Sequence, residues 1–279
     1  MPITTVFMTL YLCSAVTNMT IFQRNRIHGH KFLISLILFI FSMARVVTCI
    51  MRIVWAAYQR DVQIAIAAII FNNAGVLILY LVNLIFAQRI LRAMHPKIGW
   101  KPTLAQFFYV MYALLAATLI MVIVATVIMF YTVNQSTTRA CLDCQRAAVI
   151  VLFILTITPL LVVGAAFLMP HSGTTPQPFG VGSTTFKAIL LLAAACLAVT
   201  ISGFKLGTTW QAPRKRIDPA WYDSRAAYYC FGFMLEIMIL CLYIFGRVDK
   251  RFHVPDGSSK RKSYLGHMPK ESVSVTSDA

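Results

Sequence analysis

Three charged residues stand inside long apolar runs: Arg45 and Arg52 in one run, and Glu236 in another near the C-terminus. A charge at the centre of a membrane helix costs about 2.5–3.5 kcal/mol on insertion scales, so such a residue faces the protein interior and finds a partner. Arg45 follows Lys31 by fourteen residues, about 21 Å at the helical rise, and Glu236 follows Arg225 by eleven, about 16 Å. Both depths fall near the middle of a hydrocarbon core about 30 Å thick. An ion pair between them is therefore allowed in depth, although one sequence does not say which helices are neighbours. Arg52 lies two turns beyond Arg45 on the same face. A further run holds Asn72 and Asn73 at mid-depth, and Asn72, Gly75, Leu79 and Asn83 share one face at helical spacing. Gly and Asn on one face suit close interhelical packing.

Two readings of this set stand side by side. The functional one is a mid-membrane polar cavity lined by Arg45, Asn72, Asn73 and Glu236, with Arg52 above it. The structural one is an ion pair and amide bonds that hold helices together. Other motifs are weaker. Cys141-Leu142-Asp143-Cys144 is a C-x-x-C outside a redox-fold context; a local disulfide, two thiols, or pairing with another cysteine such as Cys230 are all open. Asn134-Gln135-Ser136 is a sequon close to an apolar run, and Asn18-Met19-Thr20 is another.

The six histidines fall in predicted connections or the tail, which argues against haem, di-iron or zinc chemistry in the apolar segments. No H-E-x-x-H, G-x-S-x-G or P-loop pattern occurs. No lysine lies in the last apolar run, which excludes a retinal Schiff base there. Enzyme function is the less supported class, and no cofactor is expected.

The elements that must carry these residues follow from composition. The chain has 279 residues, 59% hydrophobic and 12% charged, against about 45–50% and about 25% for soluble domains. Too few polar residues remain to coat a soluble fold. Seven segments are long enough to span: about 3–22, 32–57, 62–90, 104–133, 146–169, 184–204 and 225–246. Their continuous apolarity predicts helices rather than alternating barrel strands, hence an all-α bundle. The first segment is the weakest, with Thr4, Thr5, Thr9, Ser14, Thr17 and Asn18. Pro159, between threonines, is expected to kink the fifth.

The net charge of +16 sits in short clusters between the runs, so nucleic acid is not the expected partner; membrane lipid is. Lys and Arg are richer in the first, third and fifth connections and the tail than in the others, which predicts the N-terminus outside and the C-terminus cytoplasmic. Arg214-Lys215-Arg216 in the sixth connection departs from that bias. Trp55, Trp100, Trp210 and Trp221 all lie at segment ends, where Trp prefers the headgroup level. Residues 250–279 read as a disordered basic and Ser-rich tail.

Several stretches carry a resemblance: GHKFLISLILF at 29–39, MARVVTCIMRIVWA at 43–56, NNAGVLILYLVNLIFAQRILRAMHPKIGW at 72–100, GTTW at 207–210, DPAWYDS at 218–224 and RVDKRFHVPDGSS at 247–259. Together they resemble a fungal family of uncharacterised multi-span membrane proteins, defined only as a domain of unknown function. That family is distantly similar to the RTA-like seven-span proteins, through span count and an acidic residue in the last helix. Its members often have a longer N-terminal extension than this chain. The resemblance implies transport or translocation of lipids or amphipathic small molecules, in the plasma membrane or an endomembrane. A seven-helix sensor is the alternative, without D/E-R-Y or N-P-x-x-Y patterns to support it, and a non-transporting scaffold is a third.

Overall fold

The computed structural model describes residues 2–29, 32–58, 61–169, 179–211 and 220–254. Seven long helices dominate them: α1 (Pro2–Ile27), α2 (Leu33–Ala57), α3 (Val62–Met94), α4 (Pro102–Tyr131), α5 (Gln135–Leu168), α6 (Thr184–Trp210) and α7 (Arg225–Phe245). No strand occurs among the described residues. All seven helices are long and apolar enough to cross a membrane, and the chain is a multi-pass integral membrane protein with an all-α, seven-span bundle.

Local chemistry sets the helix starts. Asp61, Asn134, Ser183 and Ser224 each accept a hydrogen bond from a backbone N–H in the first turn that follows them, which satisfies donors left open at a helix start. Pro102 opens α4, where its missing N–H costs nothing.

Helices α1 and α3 run about a turn past the apolar segments that announce them, to Ile27 and Met94, and α5 and α6 run further. α5 starts at Gln135 rather than Arg146, because the Asn134 cap nucleates three polar turns before the apolar stretch. Cys141 and Cys144 consequently lie on a helix, and both are free thiols. α6 continues to Trp210 rather than Phe204. Lys205, just past the expected segment end, is therefore helical and lines spaces within the bundle; Lys187, in the first turn of α6, is buried and donates to the Phe179 carbonyl. Helix α5 runs unbroken through Pro159, where Thr156 and Thr158 donate to the carbonyls of Phe153 and Ile154.

Helix α3 is the centre of the bundle and packs against α2, α4, α5 and α6. Leu79, Val82, Phe86, Ala87 and Ile90 on it are fully buried. Helix α1 packs on α2 and α7, and α7 returns to α6, closing the ring. The weakest segment is a full helix, and three of its six polar residues face inward: Ser14 meets Ser42 at 3.2 Å, Thr4 meets the Tyr229 hydroxyl at 2.6 Å, and the buried Asn18 donates to the Ser14 carbonyl, while Thr9 and Thr17 donate to the carbonyls of Thr5 and Cys13 on their own helix.

At the end of the bundle away from Pro2, α7 stops at Gly246, where a Cβ would stand 2.7 Å from Leu190. Arg247 follows in the left-handed region, at φ 49°. A one-turn helix, Val248–Arg251, then folds back, and Val181 N–H donates to the Lys250 carbonyl. Phe252 is fully buried, stacked on Phe86 at 4.2 Å, so the chain stays packed beyond Asp249. The expected 250–279 tail is described only as far as residue 254, and the 214–216 triplet, Lys31 and Arg60 lie outside the described residues.

Candidate functional site

α2 and α7 present their charges to each other across the bundle. Arg45 Nε donates to Glu236 Oε2 at 2.6 Å, and Nη2 donates to Oε1, so guanidinium and carboxylate meet at two points. Both residues are 1% exposed. Two-point geometry is what a planar guanidinium offers a carboxylate and a lysine would not. Nη1 donates to the Asn72 carbonyl at 2.9 Å and to Asn72 Oδ1 at 3.1 Å.

The surroundings complete the network. The Tyr228 hydroxyl donates to Asn72 Oδ1 at 3.1 Å. The Tyr11 hydroxyl, fully buried, lies 2.9 Å from Glu236 Oε2 and 3.1 Å from the Phe233 carbonyl. The rings of Phe41 and Phe233 sit 5.6 and 5.5 Å from the guanidinium carbon, within cation–π reach. Gly75 leaves the space: a Cβ there would stand 3.1 Å from Arg45 Cζ.

Helix α7 is not a plain α-helix before Glu236. Residues Tyr229–Met234 form a π turn, with Leu235 N–H bonding back to the Cys230 carbonyl. Such turns inside α-helices occur frequently at functional sites. The extra residue sets the angle between the Tyr228–Tyr229 pair and the glutamate. Arg52 uses the same pair, its guanidinium carbon 3.9 Å from the Tyr228 ring centre and 5.8 Å from that of Tyr229.

The adjacent asparagines serve opposite sides, because one residue turns the helix by about 100°. Asn72 belongs to the arginine. Asn73 accepts from Lys205 Nζ at 3.4 Å. Lys205 lies between two spaces. One is a cavity of about 230 Å³ whose walls include Arg45, Asn72, Tyr228 and Glu236. The other is a cavity of about 310 Å³ among α3, α4, α5 and α6, walled mainly by apolar side chains such as Ile69, Leu77, Val122, Met129 and Leu152. Tyr80 lines the larger space, and its buried hydroxyl has no hydrogen-bond partner. Among the described residues no carboxylate lies within ion-pair distance of Lys205.

Of the residues singled out in the sequence, Arg45, Asn72 and Glu236 come together. Asn73 joins Lys205 instead, and Arg52 stacks on tyrosines. Asn134 is remote; its Oδ1 caps α5 by accepting from Ser136 N–H at 3.1 Å. Asn18 is buried. Sequence reasoning missed Tyr11, Tyr228 and Lys205. The tyrosines carry an apolar ring with a polar tip and look like any interfacial aromatic. Lys205 follows the last strongly apolar residue of its run and reads as a loop charge.

A family model described as a protein of unknown function, DUF3112, matches residues 96–184 and 180–253. That stretch holds Lys205 and Glu236, while Arg45, Asn72 and Asn73 precede it. No curated protein and no solved structure matches the chain.

Proposed function

The chain belongs to the DUF3112 family of unknown function, and on that premise we propose from its geometry that it binds and moves an amphipathic small molecule or lipid with an acidic head. The observation that carries this reading is Lys205. It is an ammonium at the wall of a largely apolar cavity, with one amide oxygen at 3.4 Å as its partner. A cation taken from water needs a counter-charge, and a carboxylate, sulfonate or phosphate entering the cavity would provide it. The apolar walls would take the body of the molecule, and the free Tyr80 hydroxyl a second polar contact. Small-molecule sites have this make-up: mostly apolar lining with a few placed polar groups.

In this reading Arg45 and Glu236 are the frame. Their bonds are satisfied by each other, Asn72 and Tyr11, so they hold α1, α2, α3 and α7 in register beside the cavity. With the N-terminus outside, the cavity opens in the outer half of the membrane.

The test uses 1-anilinonaphthalene-8-sulfonate with the full chain in nanodiscs, empty nanodiscs being subtracted. A saturable fluorescence component is expected. Lys205→Met should weaken it at least tenfold, and Lys205→Arg should keep most of it. Uncharged 1-anilinonaphthalene should not distinguish the variants. A saturable component equal in Lys205→Met and the native chain sinks the proposal. Flux of the same probe in proteoliposomes separates a transporter from a sensor that only binds.

A further inference from the structure

A third space lies at the other end of the bundle, between the last turns of α1 and the end of α7. It measures about 820 Å³. Arg24, His28, Arg247 and Lys250 line it, while Ile21 and Phe245 contribute apolar wall. One acid faces the same space: Asp249, buried, 3.5 Å from Arg247 Nε and 3.5 Å from Asn25 Nδ2. The basic side chains outnumber it.

The backbone adds an independent observation. Arg247 is the only non-glycine residue with positive φ among the described residues. The left-handed region is strained for a side chain with a Cβ, and a glycine or asparagine holds it more easily. A glycine stands one residue earlier, but packing against Leu190 occupies it. Strain of this kind points to a side chain required where it stands. Arg247 is half-exposed, 52%, and lines the space rather than anchoring the core.

We propose that this space seats the phosphate headgroup of an anionic membrane lipid, with its acyl chains leaving along Ile21 and Phe245. Phosphate suits the donors, because guanidinium groups from α1 (Arg24) and from the segment after α7 (Arg247), with the Lys250 ammonium, line the same space. Lipid, rather than dissolved phosphate, suits the position, because one wall is apolar and the space sits at a helix end, where basic pockets between spans take anionic headgroups. The site shares no residue with the Lys205 cavity and does not depend on it.

The experiment measures lipid retention on the full chain in dodecyl maltoside by native mass spectrometry. The probes are dioleoyl phosphatidic acid and dioleoyl phosphatidylcholine. One phosphatidic acid is expected to remain bound, at least tenfold tighter than phosphatidylcholine. Arg247→Gly relieves the backbone strain, so it should leave the melting temperature unchanged or higher while weakening phosphatidic acid binding at least tenfold. Lys250→Gln should weaken it as well. Arg26→Gln, an exposed charge at the same helix end that does not line the space, should leave it unchanged. Equal retention of the two lipids overturns the proposal, as does an Arg247→Gly variant that melts lower and binds as before. If inorganic phosphate or glycerol 3-phosphate displaces the lipid at matching concentration, the ligand comes from water and the lipid assignment is wrong.

Discussion

Arg45 and Glu236 are separated by 191 positions in sequence and meet at two points in the middle of the bundle. Removing one partner strands the other, at a cost of about 3–5 kcal/mol for a buried pair, whereas replacing both with apolar groups is often neutral. Glu236→Gln alone and Arg45→Met alone are each expected to lower the detergent melting temperature strongly, and Arg45→Met with Glu236→Leu to recover most of the loss. A double variant as unstable as the two single losses combined contradicts the account of the pair as a frame. These two residues were legible because charges inside apolar runs are few and their depths could be reckoned from helix rise. Asn72 was legible with them, but the tyrosines were not. Tyr11 and Tyr228 are two of eleven tyrosines, and nothing in their neighbours says which hydroxyl meets the Glu236 carboxylate and which the Asn72 amide. Lys205 was hidden by a boundary: six residues of extra helix turned a supposed loop charge into a cavity wall.

At the scale of the element, α7 depends on its π turn. Deleting Cys230 from it should restore plain helix and turn residues on its N-terminal side by about 100° relative to Glu236. Tyr228 would then leave Asn72, and Tyr229 would leave Thr4 and Phe7, to which it now bonds and stacks. The deletion should therefore destabilise the protein more than Cys230→Ala, an exposed position; size-exclusion profiles and melting curves compare the two. The π turn gave no sequence signal, since one inserted residue in a continuous apolar run alters no periodicity that can be read. Helix α1 shows the opposite case. Its polar residues made it look like a poor span, yet Ser14, Asn18 and Thr4 lie on the buried face that packs on α2 and α7, so part of what weakened its hydropathy is what docks it.

For the whole molecule, seven apolar runs revealed seven spans, because a helix crossing lipid must be long and continuous. Their arrangement was out of reach. That α3 lies at the centre, touching α2, α4, α5 and α6, follows from side-chain shape distributed over all of them, and no single residue announces it. Orientation is the next quantity to measure. Cys144 is exposed on the polar turns that carry α5 past its apolar stretch. With the N-terminus outside, an impermeant maleimide should label Cys144 on sealed, right-side-out vesicles, and a cysteine placed at Arg26 only after permeabilisation. The reverse pattern would invert the bundle and put the Lys205 cavity on the cytoplasmic side.

The order of synthesis gives the arginine–glutamate contact one more consequence. Arg45 leaves the ribosome in the second span, and its carboxylate arrives only in the seventh. Until the last helix is made, the chain holds the Arg45 cation without its carboxylate, with the Asn72 oxygens and the Phe41 ring of earlier helices as what remains for it. A polypeptide terminated before residue 236 never reaches that end point. It keeps a persistent mark of incompleteness at its centre, of the kind that membrane quality control can recognise without inspecting the fold.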